Sequence, residues 1–131
     1  MADTAWSTGE LEQIASRDEL DVAPRRSDGT LTKPRIVWMV RVGGDVYVRS
    51  VQGTDGAWYR TTRGSGEGHV STATVDKDVA FLDVEDSGGD SGGLQDRIDA
   101  AYRAKYSRYP GPVASITAAK ARATTMRLVP R

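Results

Sequence analysis

The chain has no cysteine, one histidine and one phenylalanine, and its eighteen basic residues are cancelled by eighteen acidic ones. Without cysteine there is no disulfide framework, no thiolate zinc site and no thiol nucleophile. The lone imidazole, His69, has no second histidine and no carboxylate at ligand spacing, which argues against a metal centre held by the protein. A balanced charge removes the global electrostatic footprint of a nucleic-acid-binding domain. No apolar run approaches bilayer-spanning length, and the opening MADTAWSTGELEQ lacks the basic and apolar regions of a signal peptide. The expectation is one cytoplasmic domain over 1–131, with neither nucleic acid nor membrane as partner.

What is present reads as a helix, a run of antiparallel strands, a second helical region and a closing strand. Ser7 and Glu10 have capping-box spacing, Trp6 and Leu11 suit a hydrophobic staple, and a helix is predicted over Thr8 to Ser16. Ala23 to Thr30 reads as a loop turning at Asp28-Gly29. Two runs rich in Val, Ile, Trp and Tyr flank Gly43-Gly44, a two-residue hairpin turn. That turn pairs Val42 with Asp45, Val40 with Tyr47 and Trp38 with Arg49. One face then carries Ile36, Trp38, Val40, Val42, Tyr47, Arg49 and Val51; the other carries Arg35, Val37, Met39, Arg41, Val46, Val48 and Ser50, and both are mostly apolar. A hairpin apolar on both faces is packed on both faces, in a small barrel or at a subunit interface.

Further strands are expected over His69 to Thr74 and Asp78 to Asp83, and a helix over Leu94 to Tyr106 broken by Pro110 to Pro112. A weakly helical Val113 to Ala123 and a strand over Thr124 to Val129 follow. The class is α+β with a barrel-like antiparallel sheet. The closing LVPR, Leu128 to Arg131, matches the remnant of a common cleaved expression tag and equally continues the last strand.

Gly89 to Gly93 spells GDSGG, the string around the nucleophile of chymotrypsin-like proteases. The catalytic reading is rejected: the chain is too short for two barrels, and the repetitive SGGDSGG has the composition of a linker. Gly64 to Gly68 lacks the lysine of a phosphate-binding Walker loop and precedes a strand, so it reads as a hairpin connection. The run DAAYRAKYSRY needs nothing beyond tyrosines packing inward and cations at a helix C-terminus.

Arg49 is harder to dismiss, because a fixed charge stands among apolar hairpin positions. It can stack on Trp38 as a cation–π pair. Its fork of donors equally suits phosphate or carboxylate, with Ser50 and the backbone near Gly53 adding contacts. A planar ligand then has Trp38, Tyr47 or Trp58 to lie along.

PRIVWMVRVGGDVYVRSVQG (Pro34 to Gly53), WYR (Trp58 to Arg60), IDAAYRAKY (Ile98 to Tyr106) and the closing RLVP together resemble a bacterial domain-of-unknown-function family, number 2255. The resemblance implies a split β-barrel of the flavin-binding group, which includes pyridoxamine-phosphate oxidase-like and deazaflavin-dependent reductases. It implies a homodimer and an FMN or deazaflavin cofactor. Lys33, Arg35, Arg49, Ser50, Trp58 and Tyr59 match positions that wrap the cofactor in those reductases, and Trp38 joins them as a ring contact. Where the relatives follow Trp-Tyr with His or Asn and a helix ending in Asn-Pro, this chain has Arg60-Thr61-Thr62-Arg63-Gly64. The leading expectation is an oxidoreductase acting on a small organic substrate. The alternative is a cofactor-free binding protein or enzyme that takes an anionic ligand in the barrel cleft.

Overall fold

Ser7 Oγ accepts the Glu10 N–H at 3.1 Å, and the Glu10 carboxylate accepts the Ser7 N–H at 2.9 Å. This capping box starts α1 (Thr8–Ser16) where the spacing placed it. Trp6 and Leu11 are both buried in the same cluster, as a staple requires. The computed structural model describes residues 5–84 and 93–131. After α1 come β1 (Leu20–Pro24), β2 (Arg35–Val37), β3 (Met39–Val42), β4 (Asp45–Val48) and a short 3-10 turn at Gly53–Asp55. Then follow α2 (Ala57–Ser65), β5 (Glu67–Thr72), β6 (Val75–Asp83), α3 (Leu94–Lys105), α4 (Pro110–Ile116), α5 (Ala119–Arg122) and β7 (Met126–Pro130). Most of the GDSGG string, up to Gly92, lies outside the described residues.

The seven strands form one antiparallel sheet in the order β2-β1-β5-β6-β7-β4-β3. Its two edge strands are consecutive in sequence, separated by Trp38 alone. The sheet therefore curls until its edges are joined by one residue, giving a nearly closed barrel with helices at both ends. The α+β expectation is borne out.

The Gly43-Gly44 hairpin has the expected register, with Val42 opposite Asp45 and Val40 opposite Tyr47. Its two apolar faces are both covered. Val37, Met39, Val46 and Val48 point into the barrel with Val22, Val70, Val79 and Leu128. Val40 and Tyr47 point outward against Ile98, Tyr102, Tyr106 and Ile116 of the C-terminal helices. Each such large side chain taken from water contributes about 1.5–3 kcal/mol, so both layers hold the hairpin. Leu128 pairs with both Val46 and Phe81 and is buried, so the start of LVPR belongs to the sheet.

Four local readings are corrected. The expected pair of Trp38 with Arg49 does not form, because the ladder ends at Met39 opposite Val48 and Val37 pairs instead with Leu20. LDVAP is a strand, buried between β2 and β5, where the sequence offered only a helix end and a loop. Gly64 to Gly68, read as a hairpin connection, instead spans the end of a helix over 57–65 and the start of β5, with Gly66 between them at a φ of 70°, the left-handed cap conformation. α3 does end before Pro110, but the next helix, expected from Val113, begins at Pro110 itself, whose missing N–H costs nothing in a first turn.

Candidate functional site

The barrel is split where β2 leaves β3. Before Trp38 the chain pairs with β1, after it with β4, and beyond Val48 the chain leaves the ladder at Arg49. A cleft of about 370 Å³ opens there. The run 35–38 and Arg49 to Gln52 supply two walls, the start of α2 (Gly56, Ala57, Trp58) a third, and Pro112 and Ile116 of α4 the fourth. Five expected contacts, Arg35, Trp38, Arg49, Ser50 and Trp58, meet in this cleft. Lys33 lines an adjoining depression of about 330 Å³, shared with Arg26, Thr32 and Thr61, that has Arg35, Ala57 and Trp58 in common with the cleft. Tyr59 turns the other way, buried in the barrel core and packed edge-on to Trp58.

Arg49 is 1 % exposed, the largest of the fully buried side chains. A guanidinium carries five N–H donors. Nε donates to Thr125 Oγ1 at 2.9 Å, Nη1 to Asp99 Oδ1 at 2.5 Å and to the Ile116 carbonyl at 3.1 Å. Nη2 donates to Gln95 Oε1 at 2.7 Å and lies 3.4 Å from the Gln95 carbonyl. The fork expected to receive an anion is thus engaged by acceptors of the chain itself. Nor does it stack on Trp38; its partner ring is Tyr102, 5.5 Å from the guanidinium carbon.

Trp38 is held from behind. Its ring stacks on Tyr106 at 3.9 Å with 6° between planes. The Tyr106 hydroxyl is fixed by the Asp18 and Met39 carbonyls at 2.8 and 3.0 Å. The tryptophan therefore enters the cleft with its orientation set. At the mouth the situation is reversed. Among the described residues the side chains of Arg35 and Lys33 make no hydrogen bond or ion pair within the chain. The first-turn amides of α2 have no intrahelical acceptor, and no side chain caps them. They carry the positive end of the helix dipole. Gly56 lies so close to Ser50 that a Cβ there would overlap Ser50 Oγ.

Among the described residues no Asp, Glu, His, Lys, Tyr or Cys lines the cleft. The arrangement can clamp a planar, anionic molecule, but it offers no acid–base pair and no activated nucleophile.

His69 stands apart on the outer hairpin. Pairing of β5 with β6 puts Asp78 directly opposite it and Asp76 on the diagonal, bringing together carboxylates that the sequence had left apart. Nδ1 meets Asp78 Oδ1 at 2.8 Å, and Nε2 meets Asp76 Oδ1. Among the described residues no cluster suited to a metal ion forms. The bonds to Asp78 and then Asp76 raise the imidazole pKa above its ordinary 6.5. A raised folded value means stabilisation that is complete below 6.5 and lost as pH climbs through the folded value. Urea midpoints of wild type and His69→Gln should therefore lie furthest apart at mildly acidic pH and converge in alkaline buffer. A gap constant across pH would show that the two carboxylates do not hold the charged ring.

Over residues 10–128 the sequence matches the family DUF2255, uncharacterized proteins conserved in bacteria. The chain belongs to DUF2255. No curated protein matches this DUF2255 chain by sequence. In three dimensions it is similar to the haem storage protein HutZ from Vibrio cholerae, with a TM-score of 0.65 at 12% identity over 95% of this chain and 89% of that one. It is also similar to a conserved hypothetical protein from Mycobacterium tuberculosis, with a TM-score of 0.55 at 13% identity over 98% and 82%. An F420 reductase gives 0.52 at 21% identity over 96% and 94%. These likenesses establish a shared fold, the split barrel expected from the sequence. Among the described residues no helix of the DUF2255 chain is long and apolar enough to cross a membrane.

Sequence reasoning missed the α4 wall, Pro112 and Ile116, because nothing local ties α4 to a hairpin more than sixty residues earlier. It also missed Gly56 as a helix start. The signal was present there: Gly56 follows Asp55, and AWYRTT sets Tyr59 and Thr62 three apart, on the side of the helix that is buried.

Proposed function

We propose that this DUF2255 protein binds a planar redox cofactor with an anionic tail, of the FMN or deazaflavin type, and acts as an oxidoreductase on a small organic substrate. One observation carries the reading. A single cleft joins two tryptophans, Trp38 and Trp58, to Arg35, with Lys33 in the adjoining depression; among the described residues neither cation has a partner and no acid or base lines the cleft. Chemistry in such a cleft is carried by a bound group, and a flavin or deazaflavin supplies hydride transfer when bound. Arg35, Lys33 and the first-turn amides of α2 hold the anionic group. Trp38 and Trp58 would border the ring, with Ile36 and Val51 beside it. Haem fits this cleft less well: its axial ligands are His, Cys, Met or Tyr, and none of these lines it.

The test is the visible absorption spectrum of the purified protein, followed by titration with FMN and a deazaflavin monitored by fluorescence and thermal shift. Specific binding raises the unfolding temperature by mass action, with the logarithm of free ligand concentration over Kd. A colourless protein that responds to neither loses the cofactor reading. The second reading, a cofactor-free binder of an anionic small molecule, then takes its place. It is favoured by Arg60 to Gly64, which replace the relatives' residues after Trp-Tyr.

We extend the proposal to a homodimer. Ile36 and Val51 are 62% and 51% exposed beside the cleft, an apolar rim that a second copy would cover. Ile36→Glu combined with Val51→Glu should convert the protein to a monomer in size-exclusion chromatography. An elution volume identical to wild type would remove this rim from the interface.

A further inference from the structure

We propose that Arg49 and Asp99 form a positioning pair that sets the width of the cleft by tying its α4 wall to the barrel, and that Arg49 receives no ligand anion. The acceptors of Arg49 come from three separate places in the C-terminal half: Gln95 and Asp99 on α3, Ile116 at the end of α4, and Thr125 just before β7. Ile116 is the informative one. Its carbonyl accepts from Arg49 Nη1 while its residue lines the cleft opposite the barrel wall. One side chain, anchored on the end of a barrel strand, thus fixes how far α4 stands from that strand.

The acceptors are themselves braced. Asp99 Oδ2 takes Arg122 Nη1 at 3.2 Å, joining α5 to the same carboxylate. Gln95 Oε1 is shared between Arg49 and Thr125 Oγ1, the latter at 3.0 Å. Tyr102, whose ring lies beneath the guanidinium, belongs to the same helix as Gln95 and Asp99. Only a planar group with five donors can serve all of these at once. A lysine in its place keeps the charge but reaches from a single nitrogen.

That difference gives the experiment. The ligand arm rests on the cofactor reading above and uses FMN together with riboflavin, which has the same ring system without the phosphate. In Arg49→Lys, measured well below the unfolding temperature, affinity for both should fall by a common factor of about ten, the equivalent of one lost buried contact. Loss of FMN affinity with riboflavin unchanged would make Arg49 an anion receptor and overturn the proposal. A second arm needs no ligand. Hydrogen exchange of the α4 amides, from Val113 to Thr117, should quicken in Arg49→Lys and, separately, in Asp99→Asn, with β5 and β6 as protected as in wild type. Unchanged exchange in α4, or an equal quickening everywhere, would overturn it. Wild-type protein that binds neither FMN nor riboflavin would count against the cofactor reading alone, and α4 exchange would then decide this one. Should Arg49→Lys fail to fold, Asp99→Asn carries both arms.

Discussion

Arg49→Ala lowers the unfolding free energy by about 3–5 kcal/mol, because it strips a buried carboxylate of its counter-charge. The Asp99 side chain is 5% exposed, and that of Arg49 is 0%. With Arg49 gone, Asp99 retains Arg122, a partly exposed partner at 3.2 Å, which tempers the penalty without removing it. Gln95 Oε1 keeps Thr125, while the Ile116 carbonyl loses its donor from Arg49. For a domain whose whole stability lies in the range of about 5–15 kcal/mol, that is a large fraction. Urea titration at constant slope gives the number directly. Arg49→Met with Asp99→Leu should recover most of the loss, since apolar groups of similar volume often replace a buried ion pair at little cost. A single variant that loses under about 1 kcal/mol would place Arg49 among ordinary surface charges, against its burial.

The same residue shows how far the sequence could be read. Arg49 was conspicuous because alternation along a strand is a local property, visible within a few residues. The turn glycines set the hairpin register for the same reason, and the double-sided apolar pattern announced two packed layers. What the pattern could not supply was the partner. Asp99 lies 50 residues away in a helix where its neighbours form an unremarkable stripe, and no spacing rule links the two. β1 was hidden in a similar way: Leu20, Val22 and Ala23 are strand residues only because β2 and β5 flank them. The change of partner at Trp38, which opens the cleft, is likewise a tertiary event within a continuous apolar run.

The candidate site divides along the same line. Trp38, Ser50 and Arg35 lie in one cleft because they sit at or near strand ends that the fold must bring close, and Trp58 joins them from the first turn of α2. Tyr59 did not, because Ala57 to Ser65 winds into a helix and successive residues on a helix face different directions. Trp58 is thereby turned toward the cleft and Tyr59 toward the core.

Arg35→Ala combined with Lys33→Ala should lower FMN affinity by roughly tenfold to a hundredfold, the worth of one or two charge-assisted contacts, while riboflavin affinity and the urea midpoint hold steady. The two cations are exposed and make no bond within the described chain, so removing them disturbs no packing. Surface changes of this kind ordinarily alter stability by no more than about 0.5 kcal/mol. Their effect should also shrink as salt is added, because exposed charges attract an anion only through a screened field. The contrast with Arg49 is what gives the pair of experiments force. The buried, fully bonded Arg49 and the solvent-facing Arg35 line one cleft, solvent-facing Lys33 lines the depression beside it, and only the two exposed cations have donors to offer. If the double variant holds FMN as tightly as wild type at low salt, the anionic group sits elsewhere, and the cationic mouth has no part in binding.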